Sequence, residues 1–350
     1  MQEIKFINTP NIELNDAFDR YEPIMGNDYM IIDWLLGNTC NYKCTYCHET
    51  CNGGDKPWPD VDIAFKFVQR ATDHYRSIGK RIVWNLLGGE PTVWPKFRDF
   101  FSKVKEYDPD CIIRVLTNGS RTISWWERNA HLFDEVIISW HPEQADYVHC
   151  CEVSNILVDS GAVCSIQVSM YPPYAQKCID AAKYFHENSR SVHVAPKSLQ
   201  ETICDDRTMV YEQEFLDEIM KYEGIPAQMY PDETDDEAMF QSNLSKKRRS
   251  AYGKMMRFMN THTGKQELVQ ANELMANGRN SWKGWMCNIG IETIVVHDGV
   301  ISSGSSCFIG LSHGHMEDPD NIEFPSSGRI CEYDWCSCIA DVEVTKYRVE

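Results

Sequence analysis

The sequence has no apolar run of the roughly 18 residues that a transmembrane helix needs, and its first residues include neither a basic nor an apolar segment. We therefore expect no membrane span and no secretory signal peptide. Basic residues are few: 34 Lys and Arg stand against 52 Asp and Glu, giving a formal net charge of −18. Because this charge repels phosphate backbones, we expect no extended nucleic-acid binding and no membrane partner. A cytoplasmic protein is predicted.

Cysteine, by contrast, is abundant, with 15 residues in a chain of 350. Cytosolic reductants keep thiols reduced, so clustered cysteines more often hold metal there than form disulfides. Eight of the 15 fall in two groups, one near each end of the chain. The others are predicted mostly to fill the core, because free cysteine is among the most buried residue types; they are Cys51, Cys111, Cys150, Cys151, Cys164, Cys178 and Cys204.

Six apolar segments alternate with amphipathic helical segments over residues 29–223. The predicted strands are residues 29–36, 81–87, 111–116, 135–140, 163–169 and 191–195. Strands that alternate with helices form a parallel sheet, because the crossover helices must cover it. Right-handed crossovers would give a doubly wound sheet or a partial barrel. We predict an α/β fold, a (β/α)6 partial TIM barrel with a small C-terminal domain built from a β-hairpin and a helix.

The βα alternation also suggests how the chain is divided. The predicted parts are an N-terminal extension (1–28), the barrel (29–223), a helical bridge (224–284), the small C-terminal domain (285–342) and a tail (343–350). Within the bridge, residues 255–259 and 267–275 are predicted as helices.

Polar and reactive residues follow several predicted strands. In parallel α/β folds the ligand site lies at the carboxyl ends of the strands, so these residues should meet at one mouth. His141 and Lys197 are the candidate catalytic residues, although His141 could equally be a hydrogen-bonded structural imidazole. The whole set comprises Cys40, Cys44, Cys47, Gly88, Gly89, Glu90, Thr117, Asn118, Ser139, His141 and Lys197.

The first cysteine group is Cys40-x3-Cys44-x2-Cys47, three thiols within eight residues. Structural zinc usually takes four ligands in two pairs, and no second pair lies nearby, so an iron–sulfur cluster fits better. Adding Cys51 gives a spacing that loosely resembles a ferredoxin. Bacterial ferredoxins, however, have two residues in the first gap and a proline after the last cysteine, whereas Asn52 follows Cys51 here.

This three-cysteine loop after the first strand, with Gly88-Gly-Glu-Pro91 after the second, resembles the radical S-adenosylmethionine (radical SAM) enzymes over about residues 29–223. The resemblance implies a [4Fe–4S] cluster on Cys40, Cys44 and Cys47, whose fourth iron chelates the amino and carboxylate groups of SAM. It further implies Tyr46 near the adenine, Gly88, Gly89 and Glu90 at the amino group, Thr117 and Asn118 near the ribose or carboxylate, and Ser139 at the polar position after the fourth strand.

The chemistry implied by the resemblance is one-electron cleavage of SAM to methionine and a 5′-deoxyadenosyl radical, which abstracts a substrate hydrogen. The role of the protein is to position the substrate atom that loses hydrogen and to exclude water. We expect a flavodoxin- or ferredoxin-type electron donor.

The second cysteine group surrounds a predicted hairpin that turns at Asp298-Gly299. It resembles the shortened auxiliary-cluster domain called twitch, although the later cysteine spacing of the full SPASM domain is absent. The group contains five cysteines, one more than a site with four protein ligands needs. We predict Cys287, Cys307, Cys336 and Cys338 as ligands of an auxiliary [4Fe–4S] cluster, with Cys331 either as the fourth ligand in place of one of these or as a spare. Zinc is the alternative, since zinc ribbons also combine hairpins with thiolates.

The leading hypothesis is a radical SAM enzyme that modifies a peptide or protein, because enzymes with twitch or SPASM domains often do so. The first alternative is a small metabolite such as a sugar, nucleoside or amino acid. An alternative of another class is an iron–sulfur electron carrier or a zinc-stabilised binding protein.

Overall fold

The computed structural model describes residues 17–23, 28–199, 209–224, 255–271, 274, 279–304, 312–336 and 338–349. The strands are β1 (Arg20–Pro23), β2 (Tyr29–Leu35), β3 (Arg81–Leu87), β4 (Ile112–Thr117), β5 (Glu135–Trp140), β6 (Val163–Met170), β7 (His193–Ser198), β8 (Met255–Met259), β9 (Gln266–Gln270), β10 (Met286–Cys287), β11 (Thr293–His297), β12 (Val300–Ser302), β13 (Ser312–His315), β14 (Arg329–Ile330) and β15 (Lys346–Tyr347). The α-helices are α1 (Glu49–Asn52), α2 (Val61–Ser77), α3 (Phe97–Tyr107), α4 (Ile123–Asn129), α5 (Tyr147–Asp159), α6 (Ala175–Asn188), α7 (Gln213–Ile219) and α8 (Ile339–Val342). Short 3-10 helices cover Pro91–Val93, Ala130–Leu132, Pro172–Tyr174, Met220–Tyr222 and Pro319–Asn321.

The predicted α/β fold with a parallel sheet is confirmed. Strands β2 to β7 lie side by side in chain order, every neighbouring pair is parallel, and helices connect them. This arrangement is consistent with the predicted (β/α)6 partial barrel. The carboxyl ends of six neighbouring strands therefore share one edge, which is where a ligand site is expected.

The two faces of this sheet differ in chemistry because side chains alternate along each strand. One face packs against the helices and forms the core, with Trp34 and Trp84 almost fully buried. The amphipathic helix α2 covers part of it and begins where the Asp60 carboxylate accepts the first backbone N–H groups. No described helix is both long and apolar enough to cross a membrane.

The other face carries a polar row that crosses four strands. Asp33, Asn85, Arg114 and Glu135 are consecutive Cα partners from β2 to β5. The Asn85 amide donates to Asp33 over 2.7 Å, and the Arg114 guanidinium pairs with Glu135 over 2.5 Å. Side chains directly opposite each other on neighbouring strands share a face, so this row lines the concave side of the sheet.

The predicted hairpin at Asp298-Gly299 is confirmed, and both turn residues have positive φ, 50° and 80°. Its position corrects the prediction of a separate hairpin and helix domain. Strand β11 pairs in parallel with β2, so the hairpin and β13 extend the barrel sheet to nine strands. The edge of β2 is thereby covered, which removes an exposed row of backbone hydrogen-bonding groups.

A second, antiparallel sheet of six strands has the order β14-β10-β15-β1-β8-β9. It joins the predicted N-terminal extension (β1) to the predicted tail (β15), so both segments are part of this sheet. The helices predicted at 255–259 and 267–275 are wrong where the structure describes them, because β8 and β9 form an antiparallel pair there. The Asn260 side chain accepts from two backbone N–H groups in the connecting turn, and Gly264 adopts a φ of 74°. This turn folds the segment into a hairpin. Each of its strands is too short for hydrophobic periodicity to distinguish a helix from a strand.

Candidate active site

The three-cysteine loop leaves the carboxyl end of β2. Cys44 is buried, while Cys40 and Cys47 are half-buried. The backbone N–H of Cys47 donates to the Cys44 carbonyl over 3.1 Å, and the N–H of Tyr42 donates to the Cys40 sulfur over 3.4 Å. Burial raises the pKa of Cys40, and it raises the pKa of Cys44 to about 11. Three soft sulfur donors on one short loop are a suitable ligand set for an iron–sulfur cluster.

Cys51 lies beside this loop, in α1. Its thiol interacts with that of Cys47, which raises the pKa of Cys47 and lowers the pKa of Cys51 to about 6. The structure therefore places Cys51 against one of the three predicted ligands, and the sequence spacing is what favours Cys47 over it.

The Gly88-Gly89 pair packs directly on the chain that enters the cysteine loop. A methyl group built on Gly88 would lie 2.3 Å from the Gly37 carbonyl oxygen, and one on Gly89 would lie 2.3 Å from the Thr39 carbonyl oxygen. Backbone N–H groups of Gly89 and Glu90 donate to those same two carbonyls, each over 2.9 Å. Only glycine permits this approach, so the end of β3 is hydrogen-bonded to the base of the cysteine loop.

Glu90 is fully buried and joins the ends of β3 and β4. Its Oε1 accepts from the Thr92 N–H (3.1 Å), the Thr92 hydroxyl (2.5 Å) and the Thr117 hydroxyl (2.7 Å), and its Oε2 accepts from the Asn118 N–H (2.5 Å). Burial raises the pKa of Glu90, while these hydrogen bonds favour the carboxylate. The motif thus fixes the Thr117-Asn118 turn as well as its own loop.

Asn118 extends this network to the cysteine loop. Its side-chain amide donates to Asn41 Oδ1 over 3.0 Å and reaches the Cys40 sulfur at 3.8 Å. Residues predicted separately after three different strands therefore form one continuous set of contacts.

Tyr46 and His141 form a pair on the other side of the mouth. The Tyr46 hydroxyl lies 2.8 Å from His141 Nδ1, and their rings stack with centroids 5.9 Å apart. Burial, with a smaller contribution from the Lys197 charge, lowers the pKa of His141 to about 4. The imidazole is therefore neutral near pH 7, so the phenolic O–H can donate to it.

Ser139 and Lys197 lie on the concave face near this pair. Ser139 is the Cα partner of Gln167, whose side-chain oxygen accepts from the Lys197 ammonium over 3.1 Å. The surrounding protein lowers the pKa of Lys197, although its side chain still reaches solvent at the open mouth.

Sequence reasoning missed Glu143, which ties the cysteine loop to the end of β5. Its two carboxylate oxygens accept from the N–H and the hydroxyl of Thr45, each over 2.6 Å. The Thr45 hydroxyl also lies 3.2 Å from the hydroxyl of Tyr171, whose ring contacts Tyr46. Its position in the sequence could have indicated this role. Glu143 follows the end of β5 by three residues and the candidate residue His141 by two.

The low pKa of His141 predicts an acid-sensitive fold. The pKa is about 4 in the folded protein and 6.5 as a reference for the unfolded chain. Below pH 6.5 the unfolded chain therefore binds more protons, and stability falls as the pH drops towards 4. Between pH 7 and pH 5 this histidine should contribute a loss of about 2 kcal/mol in the free energy of unfolding.

Anaerobic urea unfolding at the two pH values tests this expectation. His141→Asn should show a smaller drop in stability than the wild type, with His131→Asn, at an exposed histidine, as the matched control. An identical drop in His141→Asn and wild type would contradict the assigned protonation.

In the C-terminal part, Cys287, Cys331 and Cys336 line one cavity together with Asp341 and Trp335. Cys331, predicted either as a fourth ligand or as a spare, lines this cavity with the other two cysteines. Cys338 precedes α8, where its carbonyl accepts from the N–H groups of Asp341 and Val342. Cys307 lies outside the described residues. Among the residues described, no three His, Cys, Asp or Glu side chains are arranged to share one metal ion.

Comparison with known proteins matches residues 34–141 to the Radical SAM superfamily. Among solved structures, the chain is similar to native anSMEcpe with bound AdoMet, at 14% identity, covering 83% of this chain and 78% of that one, with a TM-score of 0.46. It is also similar to Streptococcus suis SuiB bound to precursor peptide SuiA, at 13% identity, covering 83% and 62%, with a TM-score of 0.44. The matched segment holds the three-cysteine loop, the Gly88-Gly89-Glu90 motif and Asn118, and over these residues the chain is similar to the radical SAM superfamily.

Proposed function

We propose that the chain binds a [4Fe–4S] cluster through Cys40, Cys44 and Cys47, with SAM at the remaining iron, and uses it to abstract hydrogen from a peptide or protein substrate. The observation that carries this proposal is the contact network joining the cysteine loop to Glu90 and Asn118. When bound, the cluster supplies the electron that cleaves SAM into methionine and a 5′-deoxyadenosyl radical.

The chain's own residues would hold and orient SAM. Gly88 and Gly89 bring backbone close to the cysteine loop and leave no side chain in the way. Glu90 Oε2 accepts only one described hydrogen bond and so keeps acceptor capacity for the SAM amino group. Tyr46, held by His141, offers an aromatic face beside the loop for the adenine.

The proposed electron route includes a second [4Fe–4S] cluster at the C-terminal cysteines. Cys287, Cys331 and Cys336 supply three thiols to one cavity, and a fourth ligand would come from Cys307 or Cys338. If this cluster takes up an electron after hydrogen abstraction, the net reaction is an oxidation of the substrate. The predicted flavodoxin- or ferredoxin-type donor would supply the electron for SAM cleavage.

A small polar metabolite is the second candidate substrate, favoured by the polar row on the concave face. Arg114 and Glu135 are paired and almost fully enclosed there, and Asp33 and Asn85 continue the row. Such a surface suits a ligand with several hydrogen-bonding groups. Comparing 5′-deoxyadenosine formation with candidate peptides and with sugars, nucleosides and amino acids distinguishes the two substrate classes.

Anaerobic reconstitution followed by dithionite and SAM tests the proposed activity. We expect 5′-deoxyadenosine to be formed, and we expect about eight iron and eight sulfide per chain from two cubane clusters. An intact, reducible cluster without 5′-deoxyadenosine would instead support an electron carrier. About four iron with one zinc would show that the C-terminal site is structural.

A further inference from the structure

In the six-stranded sheet, one C-terminal cysteine lies between two cationic residues, one on each neighbouring strand. Cys287 in β10 is the Cα partner of Lys346 in β15 and of Arg329 in β14. Directly opposite residues on neighbouring strands present their side chains on one face of the sheet. Arg329 lines the same cavity as Cys287, with about a quarter of its side chain exposed, whereas Lys346 is fully buried.

The surroundings of Lys346 require an ammonium. Its Nζ donates to the carbonyl oxygens of Asp341 (2.7 Å), Val342 (3.2 Å) and Val344 (2.8 Å). Three acceptors use all three N–H groups of a protonated lysine, and a neutral amine has only two. The ring centroids of Trp282 and Tyr21 lie 4.4 Å and 5.4 Å from the same nitrogen, which adds cation–π attraction.

None of these partners is a carboxylate, so a buried positive charge is left without a counter-ion among them. Lys346 and Cys287 are Cα partners on adjacent strands, so this charge lies beside the cavity that Cys287 lines. The cavity is also lined by the carboxylate of Asp341 and by Arg329, which pairs with the exposed Glu332 over 3.5 Å.

We propose that Lys346 is the fixed counter-charge of an anionic, thiolate-ligated [4Fe–4S] cluster at Cys287, Cys331 and Cys336, and that it makes this cluster easier to reduce. The inference rests on the auxiliary cluster of the proposed function. A cluster held by thiolates becomes more negative when it takes up an electron, so a nearby cation favours the reduced form. Water does not screen a fully buried charge, so this effect should be large for Lys346.

The experiment is a redox titration of the reconstituted enzyme, followed by electron paramagnetic resonance. In Lys346→Met, the reduced-to-oxidised ratio of the second cluster at a fixed potential should fall at least tenfold, which is about 59 mV for a one-electron couple. The SAM-binding cluster should keep its wild-type ratio. Lys346→Arg retains the charge and should lie close to the wild type.

Lys283→Met is the matched control. Lys283 is an exposed lysine whose charge also acts on the C-terminal site through Cys331, and it pairs with Asp334. Solvent screens such a charge, so this variant should change the ratio far less than Lys346→Met does.

Lys346 also satisfies three carbonyls, so Lys346→Met could fail to retain iron. Arg329→Gln then provides the test, because it removes the other cation beside Cys287 and should lower the reduced fraction in the same direction. Eight iron per chain with unchanged potentials in these variants would overturn this inference and leave the proposed function intact. A fall of equal size in Lys346→Arg would also overturn it. A wild-type enzyme with four iron, with or without zinc, would overturn this inference and the auxiliary cluster, while SAM cleavage at the first cluster would still stand or fall on 5′-deoxyadenosine formation.

Discussion

Cys40→Ala, Cys44→Ala and Cys47→Ala are each expected to abolish the formation of 5′-deoxyadenosine, whereas Cys51→Ala is expected to retain it. Each of the three thiols would hold one iron of the cluster, so loss of any one removes a ligand. The assay is anaerobic SAM cleavage with dithionite after reconstitution, with product measured by chromatography.

Cys51 makes a demanding control because its thiol touches that of Cys47. It has the same chemistry and contacts one of the three predicted ligands, so only the ligand assignment separates it from them. Iron content should fall by about four per chain in the three ligand variants and stay unchanged in Cys51→Ala. Loss of activity and iron in Cys51→Ala, with retention in Cys47→Ala, would move the third ligand to Cys51.

The parallel sheet could be predicted because its signal is local. Each strand is a short apolar run that ends in glycine, proline or polar residues, and each helix shows its own periodicity. The bounds of β3 and β5 agree with the predicted 81–87 and 135–140. The turn at Asp298-Gly299 was equally local, since its two residues are favoured where φ is positive.

The second sheet could not be predicted because its pairings are distant in sequence. Strand β8 pairs with β1 more than two hundred residues earlier, and neither segment is long enough to show a clear period. The same limit applies to the C-terminal cysteines. Cys331 joins Cys287 because β14 pairs with β10, and spacing alone gives no information about that pairing.

The site motifs were predicted residue by residue, but their connections were not. Glu90, Thr117 and Asn118 were expected near SAM separately, and the structure shows that they also bond to one another. Side-chain hydrogen bonds depend on how two strand ends are placed side by side, which the residue types do not reveal. Glu143 was missed for that reason.

Glu90→Gln is expected to destabilise the fold by about 3 kcal/mol and to reduce SAM cleavage by at least about a hundredfold. Each carboxylate oxygen faces a backbone N–H that can only donate: Thr92 N–H on Oε1 and Asn118 N–H on Oε2. A glutamine has one oxygen, so in either orientation its NH2 group must face one of these donors. These hydrogen bonds favour the carboxylate, although burial raises the pKa of Glu90.

The effect on activity follows from the position of Asn118. Without its acceptor on Glu90, the Thr117-Asn118 turn loses the contact that holds the Asn118 amide near the Cys40 sulfur. In Glu90→Gln, the free energy of unfolding measured in urea should therefore be lower and SAM binding should be weaker. Glu106→Gln is the matched control, because it replaces an exposed carboxylate on α3, outside this hydrogen-bond network. Normal stability with lost SAM binding in Glu90→Gln would instead assign Glu90 to SAM alone, and normal values of both would contradict the network.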